Sequence, residues 1–313
     1  MREEKPDVSV ILVSDYASSC EDEWRDLRAA LTALACQDFA GTAEFLLVEH
    51  ADVAGQIPTD VLGLLPSLRL VVCPDRGSYA MKNRGAREAR ADIIATVDAD
   101  CRPDPGWLRA LVAAFKAHPE AAAISGPTMY ESTKLAHRIL GLLSRSYLDP
   151  GRAGPTRFIA NQNAGWKRSA FLAHELPTDM GPFASRTQSE AVLRDRGILL
   201  FEPAMRVIHI FDGWPMEVDI RRNMGYATIL TRLRDPRLPY AWLTALGPLS
   251  IPLVFAGKTL NSIGDCLRCW HLYNVRWYEV PFAIAFAFLI NVMEIPGMWM
   301  AFRNQKIGHT AYR

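Results

Sequence analysis

The stretch Ile93-Ile94-Ala95-Thr96-Val97-Asp98-Ala99-Asp100 decides the fold. A short apolar run, rich in β-branched residues, ends abruptly in two carboxylates one residue apart. Its length and branching predict a buried strand of a parallel sheet. Ligands of open α/β sheets bind beyond the carboxyl ends of the strands, so Asp98 and Asp100 are expected at a binding site. Residues two apart on an extended segment point to the same side. Carboxylates brought together repel unless a cation neutralises them. A hard divalent ion, Mg²⁺ or Mn²⁺, held by oxygen ligands and shared with a substrate phosphate, is the natural occupant. An isolated Asp-x-Asp can equally cap a turn, and its neighbours tip the balance.

Working outward, Val8 to Ser14 reads as the first sheet strand, with Asp15 just past its carboxyl end. Residues 21–37 carry Trp24, Leu27, Leu31 and Leu34 at helical spacing. Glu44 to Val48 is a second strand ending in Glu49, and Leu68 to Cys73 a third; residues 50–67 offer at most one short helix. A helix over Tyr79 to Arg90 carries Lys82 and leads into the aspartate strand. Strands alternating with helices indicate a doubly wound α/β domain with a mostly parallel sheet. Beyond it come a turn at Pro103 to Gly106, an amphipathic helix over Trp107 to His118 and a strand at Ala121 to Ser125. Lys134 to Leu148 reads as a surface helix, and Gly151 to Thr156 as a Gly/Pro loop. Asn161 to Trp166 reads as a turn, or as a segment whose Trp166 lines an acceptor groove. A helix over Ser189 to Arg196 and strands at Ile198 to Phe201 and Arg206 to Ile210 complete the unit.

The 313 residues suit one large domain with an appendage. A formal net charge of +1 gives no reason to expect a nucleic-acid partner. Six cysteines form no disulfide framework, and Cys266-x-x-Cys269, lacking a second pair, argues against a zinc site. Met1 to Asp7 is charged and the apolar run after it is short, so the N-terminal domain is expected to stay in the cytosol.

Residues 8–210 resemble the family-2 glycosyltransferases of GT-A fold. The opening strand, Glu49, Asn83 and Gly85 (with Lys82 in place of the usual Arg), the Asp98-x-Asp100 pair, Pro103-x-Pro105-x-Trp107-Leu108 and Pro203-x-x-x-Val207-x-His209 match in order. The resemblance implies a nucleotide-diphosphate sugar donor, UDP- or GDP-linked, and a divalent cation, Mn²⁺ or Mg²⁺. It assigns Asp100 to the metal, Asp98 to ribose or metal, and His209 to a third metal or phosphate contact. Glu49 and Asp15 would face base and ribose, and Lys82 the diphosphate, with Asn83 beside it. Two positions depart from the family pattern. Cys101 stands where an acid often follows the metal motif. The acceptor-side Glu-Asp pair aligns with Ser189-Glu190, which makes Glu190 the candidate general base. One base without a nucleophilic carboxylate implies direct displacement with inversion, by the logic that separates inverting from retaining glycosidases.

The composition changes beyond residue 215. Asp219 to Arg237 holds five arginines, with Met224, Ala227, Leu230, Thr231 and Leu233 as an apolar stripe, and so predicts a basic amphipathic helix on an anionic membrane surface. Tyr240 to Gly257 lacks a charge, and Val280 to Met293 is a second apolar run. Two spanning helices, a re-entrant hairpin lying in one leaflet and a buried core pair all fit these lengths, and membrane insertion is the favoured reading. The expected domains are 1–215, catalytic; 216–238, a connecting helix; and 239–313, a hydrophobic membrane-anchoring region. The reading is a membrane-associated, metal-dependent, inverting glycosyltransferase acting on a lipid-linked or glycan acceptor, its catalytic domain facing the cytoplasm. A catalytically silent sugar-nucleotide-binding scaffold is the alternative. A nucleotidyltransferase on a related fold is disfavoured, because no Gly-rich loop follows Val13.

Overall fold

The computed structural model describes residues 5–14, 24–131, 134–211 and 213–305. Strand β1 (Val8–Val13) is buried along its whole length and feeds two cores at once. Val8, Val10 and Leu12 point to one side, where they meet helices α1 (Arg25–Ala35) and α3 (Trp107–Ala117). Ile11 and Val13 point to the other, towards α2 (Ser78–Glu88) and α5 (Ala184–Arg194). The strand period of two sorts apolar residues between two helix layers, which is why its sequence is apolar throughout.

Eight strands form the main sheet in the order β3-β2-β1-β4-β9-β6-β10-β8. They are β2 (Ala43–His50), β3 (Leu68–Cys73), β4 (Ile93–Asp98), β6 (Ala121–Ser125), β8 (Gly154–Pro155), β9 (Asn163–Lys167) and β10 (Ile198–Phe201) beside β1. Neighbours are parallel except at β9, antiparallel to β4 and β6, and at β8, antiparallel to β10. The sheet is the expected doubly wound, mostly parallel GT-A-type sheet. At Gly85 on α2 a Cβ would sit 2.4 Å from the Ile11 side chain, so glycine is what lets this helix lie close on the sheet.

A second, three-stranded sheet runs β5-β11-β7, from β5 (Cys101–Pro103), β7 (Thr128–Tyr130) and β11 (Val207–His209). Its existence corrects the sequence reading around Asp100. The aspartates do not share one extended strand: β4 ends at Asp98, the chain turns at Ala99-Asp100, and β5 starts in the other sheet. The pair therefore straddles the junction of the two sheets.

Asn161-Gln162 is a turn at the cavity, but Trp166 lines no groove. The rest of that segment is β9, the antiparallel strand between β4 and β6, and Trp166 is fully buried against Phe171. Helix α5 starts at Ala184, more than a turn before the expected Ser189, and Gly154-Pro155 pairs with the sheet edge.

Three long helices follow. Helix α6 (Trp214–Arg234) is not an amphipathic helix lying free on a surface. Its buried residues include Glu217, Arg221 and Asn223 as well as Ala227 and Ile229, while Leu233 is exposed. The reason is its neighbour α8 (Val280–Phe302), against which it packs backbone to backbone. The uncharged run from Tyr240 is not one helix either. Ala241–Ser250 is a 3₁₀ stretch broken at Gly247, whose φ is 57°, just before Pro248. Proline lacks the N–H that would continue the helix, so α7 starts at Ile251 and runs to Cys269, taking in Lys258, Asp265 and Arg268. Helix α4 (Leu135–Arg145) packs beside α7 and α8, where Cys266 and Cys269 are buried as small apolar side chains. By length and composition, Ala241–Tyr273 and Trp277–Phe302 can each cross a membrane.

Candidate active site

At the carboxyl edge of the main sheet, β1 and β4 pair Val13 with Asp98, so β4 delivers its acid beside the end of β1. Helix α2 supplies Lys82, almost fully buried, with Nζ 2.5 Å from Asp98 Oδ1 and 5.7 Å from the centre of the Tyr79 ring. Burial pushes the Asp98 carboxyl above its ordinary range, and the Lys82 charge works against that. In the small sheet, β5 and β11 pair Cys101 with His209, and the Ile210 N–H donates to the Asp100 carbonyl at 2.8 Å. His209 therefore lies alongside Asp100, with Nε2 3.2 Å from Oδ2.

The other imidazole nitrogen settles the tautomer. His209 Nδ1 is 2.6 Å from the Ile210 carbonyl, which can only accept, so Nδ1 carries a proton. Nε2 is left as a lone pair facing a carboxylate, unless the ring is protonated or a cation lies between them. A backbone carbonyl holding the far nitrogen is the arrangement common behind metal-bound histidines. The Tyr130 ring packs on the imidazole at 5.0 Å and Arg145 lies 5.7 Å from that ring. Cys101 also lies in this cluster. Its Sγ–H donates to Asp100 Oδ1 at 3.3 Å, and burial followed by the charge of the two aspartates pushes the thiol well above its usual range. A thiol kept protonated is a poor ligand, and a hard ion prefers the oxygen and imidazole donors. Asp100 and His209 thus fit Mn²⁺ or Mg²⁺ in their chemistry, whereas Asp98, paired with Lys82, lies outside the close group of Asp100, Cys101 and His209.

Asp98, Asp100, Lys82 and His209 line one cavity of about 720 Å³, and Glu190 lines it too. Glu190 projects from α5, half exposed, and accepts from Arg186 Nε at 2.8 Å, its partner one turn back. The same cavity continues between α6, α7 and α8, past Arg221, Lys258, Asn261, Asn291 and Glu294. Sequence reasoning missed that second half. These charges sit at scattered positions in apolar segments, and their convergence appears only when the three helices pack.

Two expected contacts, Asn83 and Glu49, do not line this cavity. The Asn83 amide both donates to the Leu176 carbonyl at 2.9 Å and accepts from its N–H at 3.0 Å, so it pins a loop. Asp15 lies outside the described residues. Glu49 ends β2 as a buried carboxyl; Oε1 accepts from the His50 N–H at 2.8 Å, and Oε2 finds no partner among the described residues.

Burial raises the Glu49 carboxyl from 4.5 to about 7, against the hydrogen bonds from His50 and Ser14. A folded-state value above the unfolded one stabilises fully below pH 4.5, and that stability is lost as pH rises through about 7. The difference corresponds to on the order of 3 kcal/mol. Ligand-free protein should therefore lose stability between pH 5 and about 8 in denaturant titrations. Glu49→Gln should flatten that slope, and an unchanged slope would refute the assignment.

Comparison with known proteins agrees with this architecture. Residues 22–173 match the family model for glycosyl transferase family 2. The chain is a glycosyltransferase, carrying a family-2 domain on a GT-A-type fold. Among solved structures it is similar to the mannosyltransferase PcManGT from Pyrobaculum calidifontis, in complex with GDP-Man and Mn²⁺. That match has a TM-score of 0.60 at 17% identity and covers 97% of this chain and 89% of that one. It is also similar to S. aureus TarS 1-349 in complex with UDP, with a TM-score of 0.51 at 13% identity, covering 97% and 95%. At such identities the likeness concerns the fold. No curated protein matches the chain by sequence.

Proposed function

We propose that the chain is a membrane-associated, metal-dependent, inverting glycosyltransferase that moves a sugar from a nucleoside-diphosphate donor, UDP- or GDP-linked, to a lipid-linked or glycan acceptor. One observation carries this reading. A single cavity joins the carboxylate pair at the sheet edge to the polar faces of the C-terminal helices, whose opposite faces are apolar and exposed. Residues 1–215 act as the catalytic domain, 216–238 as the connecting helix and 239–313 as the membrane-anchoring part, with catalysis on the cytoplasmic side.

Asp98, Asp100 and His209 would hold Mn²⁺ or Mg²⁺, which supplies Lewis-acid stabilisation of the departing diphosphate. Glu49, buried at the end of β2, faces the base, and Asp15 the ribose. Lys82 offsets negative charge at the diphosphate and orients Asp98. Glu190 takes the proton from the acceptor hydroxyl. The hydroxyl oxygen then bonds to the anomeric carbon as the bond to the diphosphate oxygen breaks, with inversion at carbon. Arg186 holds the Glu190 carboxylate until the acceptor replaces it.

Glu190→Gln should lower kcat by about 10²–10⁴-fold, the usual contribution of a positioned base, while donor binding in calorimetry stays within a factor of three. Full transfer activity in Glu190→Gln would remove it as the base. The Arg186 pairing of Glu190 favours a second reading, a sugar-nucleotide-binding scaffold without its own turnover. The experiment that separates the two is Mn²⁺-dependent binding of a nucleotide-sugar panel followed by transfer to membrane extract. Binding with transfer supports the enzyme, and binding without transfer supports the scaffold.

A further inference from the structure

The C-terminal hairpin is tied to the catalytic part at its tip and to α6 along the rest of its length. Its tip, residues 270–279, is held at α4, where Arg138 binds both Glu279 carboxylate oxygens at 2.7 and 2.9 Å. Around that pair, Ile139 and Leu142 of α4 pack with Cys266, Tyr273 and Ala283. A turn or two further along α8, Phe286 stacks edge-on against Trp214, and Ile290 packs on Tyr130 and Leu140 beside the aspartate site. At mid-length Glu294 pairs with Lys258 of α7 and touches Gly225 of α6. At the far end Met298 and Ala301 meet Ile229 and Leu243.

The other face is different in kind. Along α7, Leu253, Leu260 and Leu267 are exposed, seven residues apart, and along α8 so are Phe282, Phe288, Leu289, Val292 and Trp299. These form a single apolar side on two adjacent helices. Around its edges Trp242 and Trp277 are about 70% exposed, joined by Tyr240 and Tyr278. Aromatic rings of this kind favour the water–hydrocarbon boundary. The opposite side of the same helices carries Lys258, Asn261, Asn291 and Glu294 towards the cavity.

A hairpin crossing the bilayer upright would carry its tip across the hydrocarbon, roughly 30 Å thick. Here the tip is bound to Arg138 on α4, and α4 and α6 line the same cavity as the aspartates. Upright placement would take Arg138, Arg145 and Arg221 to membrane depth with it, at a cost of several kcal/mol. Lying flat removes the conflict, because the exposed apolar side of α7 and α8 then meets the acyl chains while Lys258, Asn291 and Glu294 stay turned to the cavity.

We propose that α7 and α8 do not span the membrane but lie in the plane of one leaflet, their outer face against acyl chains and their inner face roofing the catalytic cavity. The partner is the hydrocarbon of that leaflet, and the tip stays on the same side as the catalytic domain. This placement rests on the membrane reading above.

The test is side-specific labelling in native membranes from cells expressing the full chain. His271→Cys, and separately Tyr278→Cys, are exposed with a membrane-impermeant maleimide in sealed inside-out vesicles and in spheroplasts, read peptide by peptide by mass spectrometry. Cys36, exposed on the catalytic domain, is the internal reference. Flat placement predicts that both engineered cysteines label in the same preparation as Cys36 and to the same extent. Labelling from the opposite preparation means a span. Labelling only after detergent means a tip within the hydrocarbon. Either result overturns the flat placement and leaves the membrane reading intact. Recovery of the unaltered chain in the soluble fraction would overturn the membrane reading, and the placement with it.

Discussion

Asp100→Ala will abolish Mn²⁺-dependent donor binding and lower sugar transfer on the order of 10³-fold, about 4 kcal/mol of transition-state stabilisation. The size follows from position. Asp100 is fully buried between His209 and Cys101, on the junction between the two sheets. Removing it leaves His209 Nε2 without its carboxylate neighbour and takes away one of the two anionic groups of the proposed cation site. Asp100→Asn separates chemistry from folding, because it keeps the shape and one acceptor oxygen while losing the charge. Calorimetry with and without Mn²⁺, beside an initial-rate assay, reads both effects. An Asp100→Asn protein that transfers within threefold of wild type would show that the carboxylate is not part of the machinery. His209→Ala should weaken metal dependence in the same direction but less, since one neutral ligand is lost rather than a charge.

Gly297→Ala will destabilise the protein by at least about 3 kcal/mol, at the severe end for an added methyl in a packed interior. A Cβ at Gly297 would sit 1.8 Å from the Arg222 carbonyl oxygen, and one at Gly225 would sit 2.0 Å from the Glu294 carbonyl oxygen. The contacts are reciprocal and involve backbone, so no side-chain rotation relieves them; α6 and α8 must move apart. Because both helices line the cavity, transfer should fall together with the melting temperature. Gly257→Ala is the matched control. It places a methyl in open space on α7 and should leave stability within about 1 kcal/mol of the parent. Thermal unfolding in mild detergent compares the pair, and equal melting temperatures for the two variants would refute the close crossing.

Much of the architecture was legible because its signals are local. The alternation of β1 between two cores, the helical spacing of Leu27, Leu31 and Leu34, and the β-branched run before Asp98 each concern a few neighbouring residues. Asp98 and Asp100 were nameable from the end of that run, and Lys82, His209 and Glu190 from the resemblance to the family-2 glycosyltransferases; all five line one cavity. Asn83 shows the limit. Its place in a motif said nothing of Leu176, far along the chain, which takes up both ends of its amide.

The sequence by itself determined the α/β sheet, the acidic strand end and the change to apolar composition beyond residue 215, because hydrophobic period and residue type are properties of short windows. Only the tertiary structure decided that Asp98 ends one sheet while Asp100 lies in the turn leading to the other, that Trp166 is core and that α6 turns polar residues inward. It alone brings Lys258 to Glu294 and Arg138 to Glu279. Those pairings join residues 36 and 141 positions apart. Nothing in a local window specifies which distant surface a helix will meet, and that choice is what shapes the cavity.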